Sequence, residues 1–140
     1  MAFVEFRDVC KVYKMGEVEV AAVDGMTFDI EHGEFVVIVG PSGAGKTTVL
    51  NMLGGMDSST SGTISLDGRL VSEFSAKELT MYRRYDIGFV FQFYNLVQNL
   101  TSLENVELAS QICKDPLDAA EVLEQVGLGE RLDNFPAQLS

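Results

Sequence analysis

The first third of the chain shows a spacing of apolar residues that is typical of β-strands. Residues 3–13 mix β-branched and aromatic residues with polar ones, and residues 26–30 alternate between apolar and polar types, as half-buried strands do. A further strand zone is predicted at residues 18–23. Residues 35–39, Phe-Val-Val-Ile-Val, are apolar throughout, which predicts a strand covered on both faces.

Helical signals begin after residue 47. Residues 48–53 predict a helix, which the following Gly-Gly pair ends. Two capping-box patterns, in which Ser or Thr precedes Glu by three residues, begin at Ser75 and Thr101 and predict two more helix starts. Asp-Pro at residues 115–116 predicts the start of the last helix, with Pro in the first helical position and an apolar stripe that ends at Gly127.

Two short strands are predicted between these helices. Residues 63–66 lead into an Asp-Gly turn, and residues 87–91 form an apolar run that we interpret as a core strand. Strands and helices therefore alternate in the first part of the chain, and the last third is helical. This order predicts an α/β fold.

A glycine-rich loop follows the apolar run 35–39. Its sequence matches the pattern G-x-x-x-x-G-K-[ST], in the strand-loop-helix context that this motif requires. The glycines allow backbone N–H groups to surround a phosphate, Lys46 can reach the β- and γ-phosphates, and Thr47 can ligate Mg²⁺. The sequence therefore predicts a nucleotide polyphosphate as ligand, because a mere connecting turn has no use for Lys46. The loop residues are Gly40, Pro41, Ser42, Gly43, Ala44, Gly45, Lys46 and Thr47.

Composition limits the classes of partner. The chain has 140 residues, which suit one domain, and its 21 acidic and 10 basic residues give a formal net charge of −11. This charge argues against nucleic-acid binding, because neutralising phosphates requires clustered Lys and Arg. No run approaches the roughly 18 apolar residues of a membrane-spanning helix, and no charged-then-apolar leader begins the chain. We expect a soluble cytoplasmic protein.

Cysteine and histidine give no sign of a metal or redox centre. Cys10 and Cys113 lack C-x-x-C spacing, and His32 falls in a polar turn signal between two apolar runs. We expect inert, reduced thiols and a turn histidine.

Over essentially its whole length the chain resembles the ATP-binding-cassette (ABC) transporter ATPases. Four features carry the resemblance: Tyr13 ahead of the loop, Gly-Glu-Phe at 33–35, Gly-Phe-Val-Phe-Gln at 88–92, and Leu-Glu-Asn-Val at 103–106. Within the family the pattern looks closest to the lipoprotein-releasing and macrolide-export group.

The resemblance implies roles for the matching residues and partners for the chain. Tyr13 would stack on the adenine ring of ATP, and residues 42–48, which end at Thr48, would wrap the phosphates. Gln92 would be the Q-loop glutamine, which ligates Mg²⁺ and senses the γ-phosphate, so Lys46 and Gln92 would be the catalytic groups. The Q-loop and helical region would contact transmembrane permease subunits, and a second ATPase subunit would complete a homodimer. The assembly would lie on the cytoplasmic, inner face of the cell membrane.

The family's architecture is a P-loop NTPase core with an N-terminal antiparallel β subdomain and a C-terminal helical segment. We divide the chain accordingly into a β-rich part with the phosphate loop, 1–92, and a part with the Q-loop and helices, 93–140. Residues 135–140, Phe-Pro-Ala-Gln-Leu-Ser, look like the approach to the family's Leu-Ser-Gly-Gly-Gln signature. We therefore expect the N-terminal part of a cassette, truncated before the Walker B strand.

Three functions stay open at this point. The chain is either the ATP-hydrolysing motor of a transporter or a fragment that binds nucleotide without hydrolysing it, because phosphoryl transfer also needs groups that follow the signature in this family. The loop also resembles that of guanylate kinases, which makes a nucleoside-monophosphate kinase the third possibility. The β-rich residues before the loop and the Phe-Gln run count against the kinase.

Overall fold

The N-terminal part of the chain folds around a four-stranded antiparallel sheet. The structure is a computed structural model that describes residues 1–93 and 95–139. The strands lie in the order β2-β1-β3-β4, and each neighbouring pair is antiparallel. Strand β1 is therefore an inner strand of the sheet. The strands are β1 (Val4–Met15), β2 (Val18–Ile30), β3 (Ser61–Leu66) and β4 (Arg69–Leu70).

Strand β2 unites two segments that the sequence predicts as separate strands. The zones 18–23 and 26–30 form one strand, and Gly25 between them has a φ of +64°. The N–H of Gly25 donates to the Cys10 sulfur at 3.1 Å, beside a shift in the register between β1 and β2. A bulge of this kind lets a strand continue past a residue that does not pair.

The core of the sheet is centred on Phe6. Phe6 pairs with Phe28 on one neighbouring strand and with Ile64 on the other, so the three side chains lie on the same face. The rings of Phe6 and Phe28 stack with their centroids 4.5 Å apart, and Phe6 and Ile64 are buried. Burying side chains of this size contributes about 1.5–3 kcal/mol each, which makes this row the main anchor of the sheet.

Helix α1 (Lys46–Leu53) follows the glycine-rich loop, and helix α2 (Ala76–Tyr85) closes its far end. The Tyr82 hydroxyl donates to the carbonyl oxygen of Leu53 at 2.6 Å, and an Arg83 guanidinium nitrogen donates to that of Gly55 at 2.6 Å. Carbonyls at a helix C terminus have no intrahelical donor. The side chains of α2 supply those donors and hold the end of α1.

Contacts divide the chain into two units, Met1–Arg83 and the residues from Arg84 onward. The second unit contains helices α3 (Ser102–Ser110) and α4 (Ala119–Gln125), followed by 3₁₀ turns at Gly129–Arg131 and Pro136–Gln138. Ala119 and Leu123 of α4 are its buried apolar residues within the described part of the chain.

Both predicted capping boxes form. The Ser75 N–H donates to the Glu78 carboxylate at 2.7 Å, and the Glu78 N–H donates to the Ser75 hydroxyl at 3.2 Å. Thr101 and Glu104 exchange the equivalent bonds at 3.3 and 3.2 Å. The two helix starts are confirmed, because a capping box depends only on residues that are local in sequence.

The predicted start of the last helix at Asp115-Pro116 is wrong. Helix α4 begins at Ala119, and Asp118 is its N-cap, whose carboxylate accepts from the Glu121 N–H at 3.0 Å. An Asp side chain at the N-cap satisfies an N–H group that otherwise has no partner. Pro116 lies ahead of the helix, and the helix begins where this cap is available.

The two predicted core strands, 35–39 and 87–91, are also wrong as secondary structure. Neither run is assigned to a strand, and all of residues 35–39 are exposed, with Phe35 at 93% and Val39 at 84%. In the second run Val90 is 97% exposed. A strand needs hydrogen-bonded neighbours, and no strand of the described residues pairs with either run.

The remaining expectations concern thiols, histidine and membrane segments. Cys10 is a half-buried free thiol and Cys113 an exposed one, and His32 lies in a turn with its ring 5.0 Å from that of Phe3. Within residues 1–93 and 95–139, no helix is long and apolar enough to cross a membrane. The same residues hold no group of three His, Cys, Asp or Glu side chains placed to bind a metal ion.

Candidate nucleotide-binding site

The glycine-rich loop has two glycines in backbone conformations that other residues avoid. The φ angle is +79° at Gly43 and +94° at Gly45. A Cβ atom added to Gly45 would lie 2.2 Å from the carbonyl oxygen of Ala22 on β2, whereas one on Gly43 would meet nothing within 4 Å. Gly45 is therefore required for two reasons, its left-handed φ and its close approach to the sheet.

Lys46 folds back over the loop that precedes it. Its ammonium donates to the carbonyl oxygens of Gly40 at 2.7 Å and Pro41 at 2.6 Å, and the residue is half-buried. An ammonium has three rotatable donors on a flexible stem. Lys46 can therefore exchange carbonyl partners for phosphate oxygens without a change in the backbone.

The N terminus of α1 can accept an anion. Gly45 provides no side-chain cap, and no acidic residue lies in the first turn. The first N–H groups of a helix have no intrahelical acceptors, and the helix dipole favours negative charge at this end. Thr47 is exposed and Thr48 half-buried, so both predicted ligand hydroxyls belong to this turn.

Tyr13 lies near the end of β1, and its hydroxyl is tied to the loop that follows α1. That hydroxyl donates to Asp57 Oδ2 at 2.6 Å, and the residue is 37% exposed. The Thr48 side chain acts to lower the pKa of that hydroxyl, against the larger effect of Asp57. The structure thus ties Tyr13 to the loop after α1 and places it near Thr48, in the first turn of that helix.

A lysine completes the group around Tyr13. The Lys11 ammonium donates to Asp57 Oδ1 at 2.8 Å and to the Ser58 carbonyl oxygen at 2.5 Å. It also lies over the Tyr13 ring, 5.2 Å from the centroid. A cation in this position is attracted by the ring face, so Lys11 holds both Asp57 and Tyr13.

These contacts set the ionisation of the group. The hydrogen bond to Asp57 raises the pKa of Tyr13 above its ordinary value, and partial burial acts in the same direction. Burial acts to raise the pKa of Asp57, but hydrogen bonds from Lys11, Tyr13 and the Ser58 N–H outweigh it and leave that pKa below its ordinary value. At neutral pH Tyr13 is therefore a donor and Asp57 a charged acceptor.

Lys11 and Asp57 do not emerge from the sequence as site residues. Lys11 stands two positions before Tyr13 and so on the same face of β1, which is the one local signal available. Asp57 lies 44 residues from Tyr13, in a loop of ordinary polar composition. Only the fold brings the two together.

Gln92 belongs to the unit that begins at Arg84, and its side chain is exposed. Further along this unit, Asn105 of α3 fixes residues 97–101. Its side-chain oxygen accepts from the Val97 N–H at 2.8 Å, and its amide group donates to three carbonyl oxygens at 3.0–3.1 Å. The role of Gln92 as a Mg²⁺ ligand and γ-phosphate sensor stays a prediction.

The motif at residues 40–47 and the uncapped start of the helix that follows it are features of a P-loop nucleotide-binding protein. The ABC transporter family matches residues 23–140, and the chain belongs to this family. This family assignment argues against the nucleoside-monophosphate kinase alternative.

Relatives and solved structures agree with this assignment. An uncharacterised ABC transporter ATP-binding protein of Thermotoga maritima is 47% identical over 97% of this chain and 60% of its own length. The macrolide export ATP-binding/permease protein MacB of Brucella abortus is 44% identical over 98% of this chain and 22% of its own length. A dimeric ATP-binding cassette in a post-hydrolysis state, bound to ADP and Pi, is 42% identical with a TM-score of 0.86, over 98% of this chain and 63% of the solved one.

These matches confirm the predicted fold class, a P-loop ATPase cassette with an antiparallel β subdomain and helices. The chain spans 60% of the Thermotoga relative and 22% of the Brucella one. Residue Ser140, the last of the signature-like run 135–140, lies outside the described residues.

Proposed function

We propose that this chain binds Mg²⁺-ATP at residues 40–48 as the ATP-binding part of an ABC transporter. The observation that carries the proposal is the position of Lys46, whose ammonium lies against a glycine-rich loop at the uncapped start of α1. A glycine-rich loop, a lysine and a helix N terminus together suit a polyphosphate.

The residues present suit Mg²⁺ in the form in which proteins usually bind it. Mg²⁺ is held by one or two protein oxygens together with substrate phosphates and waters, rather than by an all-protein cage. Thr47 offers an exposed hydroxyl in the first turn of α1, and the role of Gln92 as a second ligand is proposed from the family resemblance alone. When bound, the ion would neutralise charge on the phosphates, and Thr47 would orient it.

The base would be held by Tyr13. Stacking of a base on an aromatic side chain contributes about 1–3 kcal/mol in single-strand nucleic-acid binders. The Tyr13 ring is partly exposed, and its hydroxyl lies near Thr48 in the turn that would hold the phosphates. A nucleotide that extends from that turn would therefore meet the ring.

The wider assembly follows from the family. A relative that joins an ATP-binding part and a permease in one protein, and a cassette solved as a dimer, support contact with transmembrane permease subunits through the Q-loop and helical region, residues 93–140, and pairing with a second ATPase subunit. The assembly would use ATP to power transport, by export or by lipoprotein release, with this chain on the cytoplasmic face of the membrane. Lys46 and Gln92 would act at the γ-phosphate.

Titration calorimetry with Mg²⁺-ATP tests the proposal. Lys46→Ala is expected to weaken binding at least tenfold, about 1.4 kcal/mol, because it removes the cation that meets the phosphates. Lys77→Ala is the matched control, since Lys77 is an exposed lysine of α2 in the same unit. If Lys46→Ala and the parent bound Mg²⁺-ATP with equal affinity, the loop would not be the nucleotide-binding site.

Binding without turnover is the second candidate. It is favoured by the apolar run that leads into the loop, which is exposed and pairs with no described strand. A site whose supporting sheet is incomplete would hold phosphates less rigidly than phosphoryl transfer requires. A phosphate-release assay with Mg²⁺-ATP distinguishes the two candidates. Release by the parent chain that is lost in Lys46→Ala would favour an ATP-hydrolysing motor over binding without turnover.

A further inference from the structure

We propose that Asp57 is a positioning residue, which holds the Tyr13 ring in the orientation that receives the adenine base. The inference rests on the proposed function, because it assigns a role within the same ATP site. It adds Asp57 and its partner Lys11 to the residues on which nucleotide affinity depends.

The first step is the way in which the Tyr13 hydroxyl is fixed. It donates to Asp57 Oδ2 at 2.6 Å, a distance typical of a charge-assisted bond between a hydroxyl and a carboxylate. The Asp57 carboxylate is fixed in turn, since Oδ1 accepts from the Ser58 N–H at 2.8 Å and from Lys11 at 2.8 Å. Both oxygens of Asp57 are therefore committed, and the far edge of the ring is tied to the loop after α1.

The second step concerns the two faces of the ring. The Lys11 ammonium lies over the ring at 5.2 Å from its centroid and occupies one face. A base that stacks on Tyr13 must therefore take the opposite face. A tether at the hydroxyl stops the ring from turning about its χ angles and keeps that face in one position.

The third step is electrostatic. A carboxylate close to a triphosphate would repel it, but Lys11 sits 2.8 Å from Asp57 and its side chain is only 12% exposed. The half-buried ammonium balances the charge of Asp57. The tether is thus strong without adding net negative charge beside the phosphates.

Loss of the tether should weaken the binding of ATP, but not of its phosphates alone. Immobilising a flexible side chain on binding costs the equivalent of about a two- to tenfold loss in affinity. If Tyr13 stacks on the base without any tether, Tyr13→Phe should leave the ATP affinity nearly unchanged, because the variant keeps the ring. The two accounts therefore differ in what they predict for Tyr13→Phe.

Calorimetric titrations with Mg²⁺-ATP and with Mg²⁺-tripolyphosphate separate these accounts. We expect Asp57→Ala and Tyr13→Phe each to weaken ATP binding about two- to tenfold and to leave tripolyphosphate binding unchanged. The double variant should bind ATP no more weakly than Tyr13→Phe alone. Asp57→Asn, which keeps an acceptor, should recover most of the affinity lost in Asp57→Ala.

A spectroscopic readout reports the tether directly. The chain has four tyrosines and no tryptophan, so an alkaline absorbance titration follows tyrosine ionisation alone. Asp57→Ala should lower the pKa of one tyrosine, and Tyr13→Phe should remove that same transition. Glu19→Ala is the matched control for both measurements, because it breaks an exposed ion pair with Lys14 on the same hairpin.

The possible results divide between the two proposals. Suppose that Lys46→Ala weakens ATP binding as expected. The role of Asp57 would then be overturned if Tyr13→Phe and Asp57→Ala bound ATP as the parent does, or if they lost as much affinity for tripolyphosphate as for ATP. Additive losses of ATP affinity in the double variant would overturn it as well. Should Asp57→Ala not fold, Tyr13→Phe decides, because it removes one hydroxyl only. A parent that binds no ATP, or binding unaffected by Lys46→Ala, would overturn the proposed function and the inference together.

Discussion

Gly45 shows how a single residue joins the loop to the sheet. Its φ of +94° is left-handed, and its α-carbon faces the carbonyl oxygen of Ala22 so closely that a Cβ would lie 2.2 Å away. Gly45→Ala should therefore cost about 1–2 kcal/mol for the left-handed backbone and about 1–3 kcal/mol more for the overlap. Urea denaturation measures this loss as a lower midpoint.

Gly43 provides the matched control for that prediction. Its φ of +79° is also left-handed, but a Cβ there meets nothing within 4 Å. Gly43→Ala should thus lower the free energy of unfolding only by the cost of the left-handed backbone, about 1–2 kcal/mol. Equal losses in the two variants would show that β2 does not press on Gly45 as the structure indicates.

At the residue scale the sequence predicts what is local. The motif at residues 40–47 predicts Lys46 and Thr47 as phosphate-site residues, because the motif is defined by spacing along the chain. The tether on Tyr13 could not be predicted, since Asp57 lies in another loop and carries no pattern of its own. Chemistry that depends on residues far apart in sequence becomes visible only in the fold.

At the scale of elements, the caps and the strands behave differently. The capping boxes at Ser75 and Thr101 form as predicted because each is closed by a Glu three residues away. The runs 35–39 and 87–91 do not form strands. An apolar run indicates that a segment favours burial, but a strand also needs neighbouring strands to pair with, and the run itself does not supply them. Helix α4 starts at the cap that Asp118 provides rather than at Pro116.

Asn105 is the residue that ties helix α3 to the segment before it. Asn105→Ala would remove four hydrogen bonds to residues 97–101. We expect the Val97 amide to lose its protection against hydrogen exchange, with a loss in the free energy of unfolding of about 1–3 kcal/mol. Asn99→Ala, an exposed asparagine of the same segment, should match the parent, and unchanged protection of Val97 in Asn105→Ala would contradict the assignment.

At the scale of the whole molecule, exposed apolar surface is the main feature. Residues 35–39 expose five apolar side chains in a row, among them Val37 at 66%. Unpaired backbone beside apolar side chains invites pairing with another chain. We therefore expect the chain to self-associate at micromolar concentration, and sedimentation velocity should show a sedimentation coefficient that rises with concentration.

A charge placed in the run tests the cause of that association. Val37→Lys should shift the chain towards monomer, because burying an ammonium in a new interface is unfavourable. Leu117→Lys changes a residue that is 75% exposed outside both apolar runs and should leave the association as it is. A parent chain that stays monomeric over a hundredfold range of concentration would contradict this interpretation.

Mapping of Mg²⁺-ATP by backbone amide NMR tests the central claim, nucleotide binding at the loop, most directly. Addition of Mg²⁺-ATP should shift the amide resonances of residues 43–48 and of Tyr13, because the phosphates would meet the N–H groups at the start of α1 and the base would meet the ring. Mg²⁺-tripolyphosphate should shift the first set and leave Tyr13 largely unmoved. Shifts confined to other parts of the chain, or none at millimolar Mg²⁺-ATP, would contradict the account.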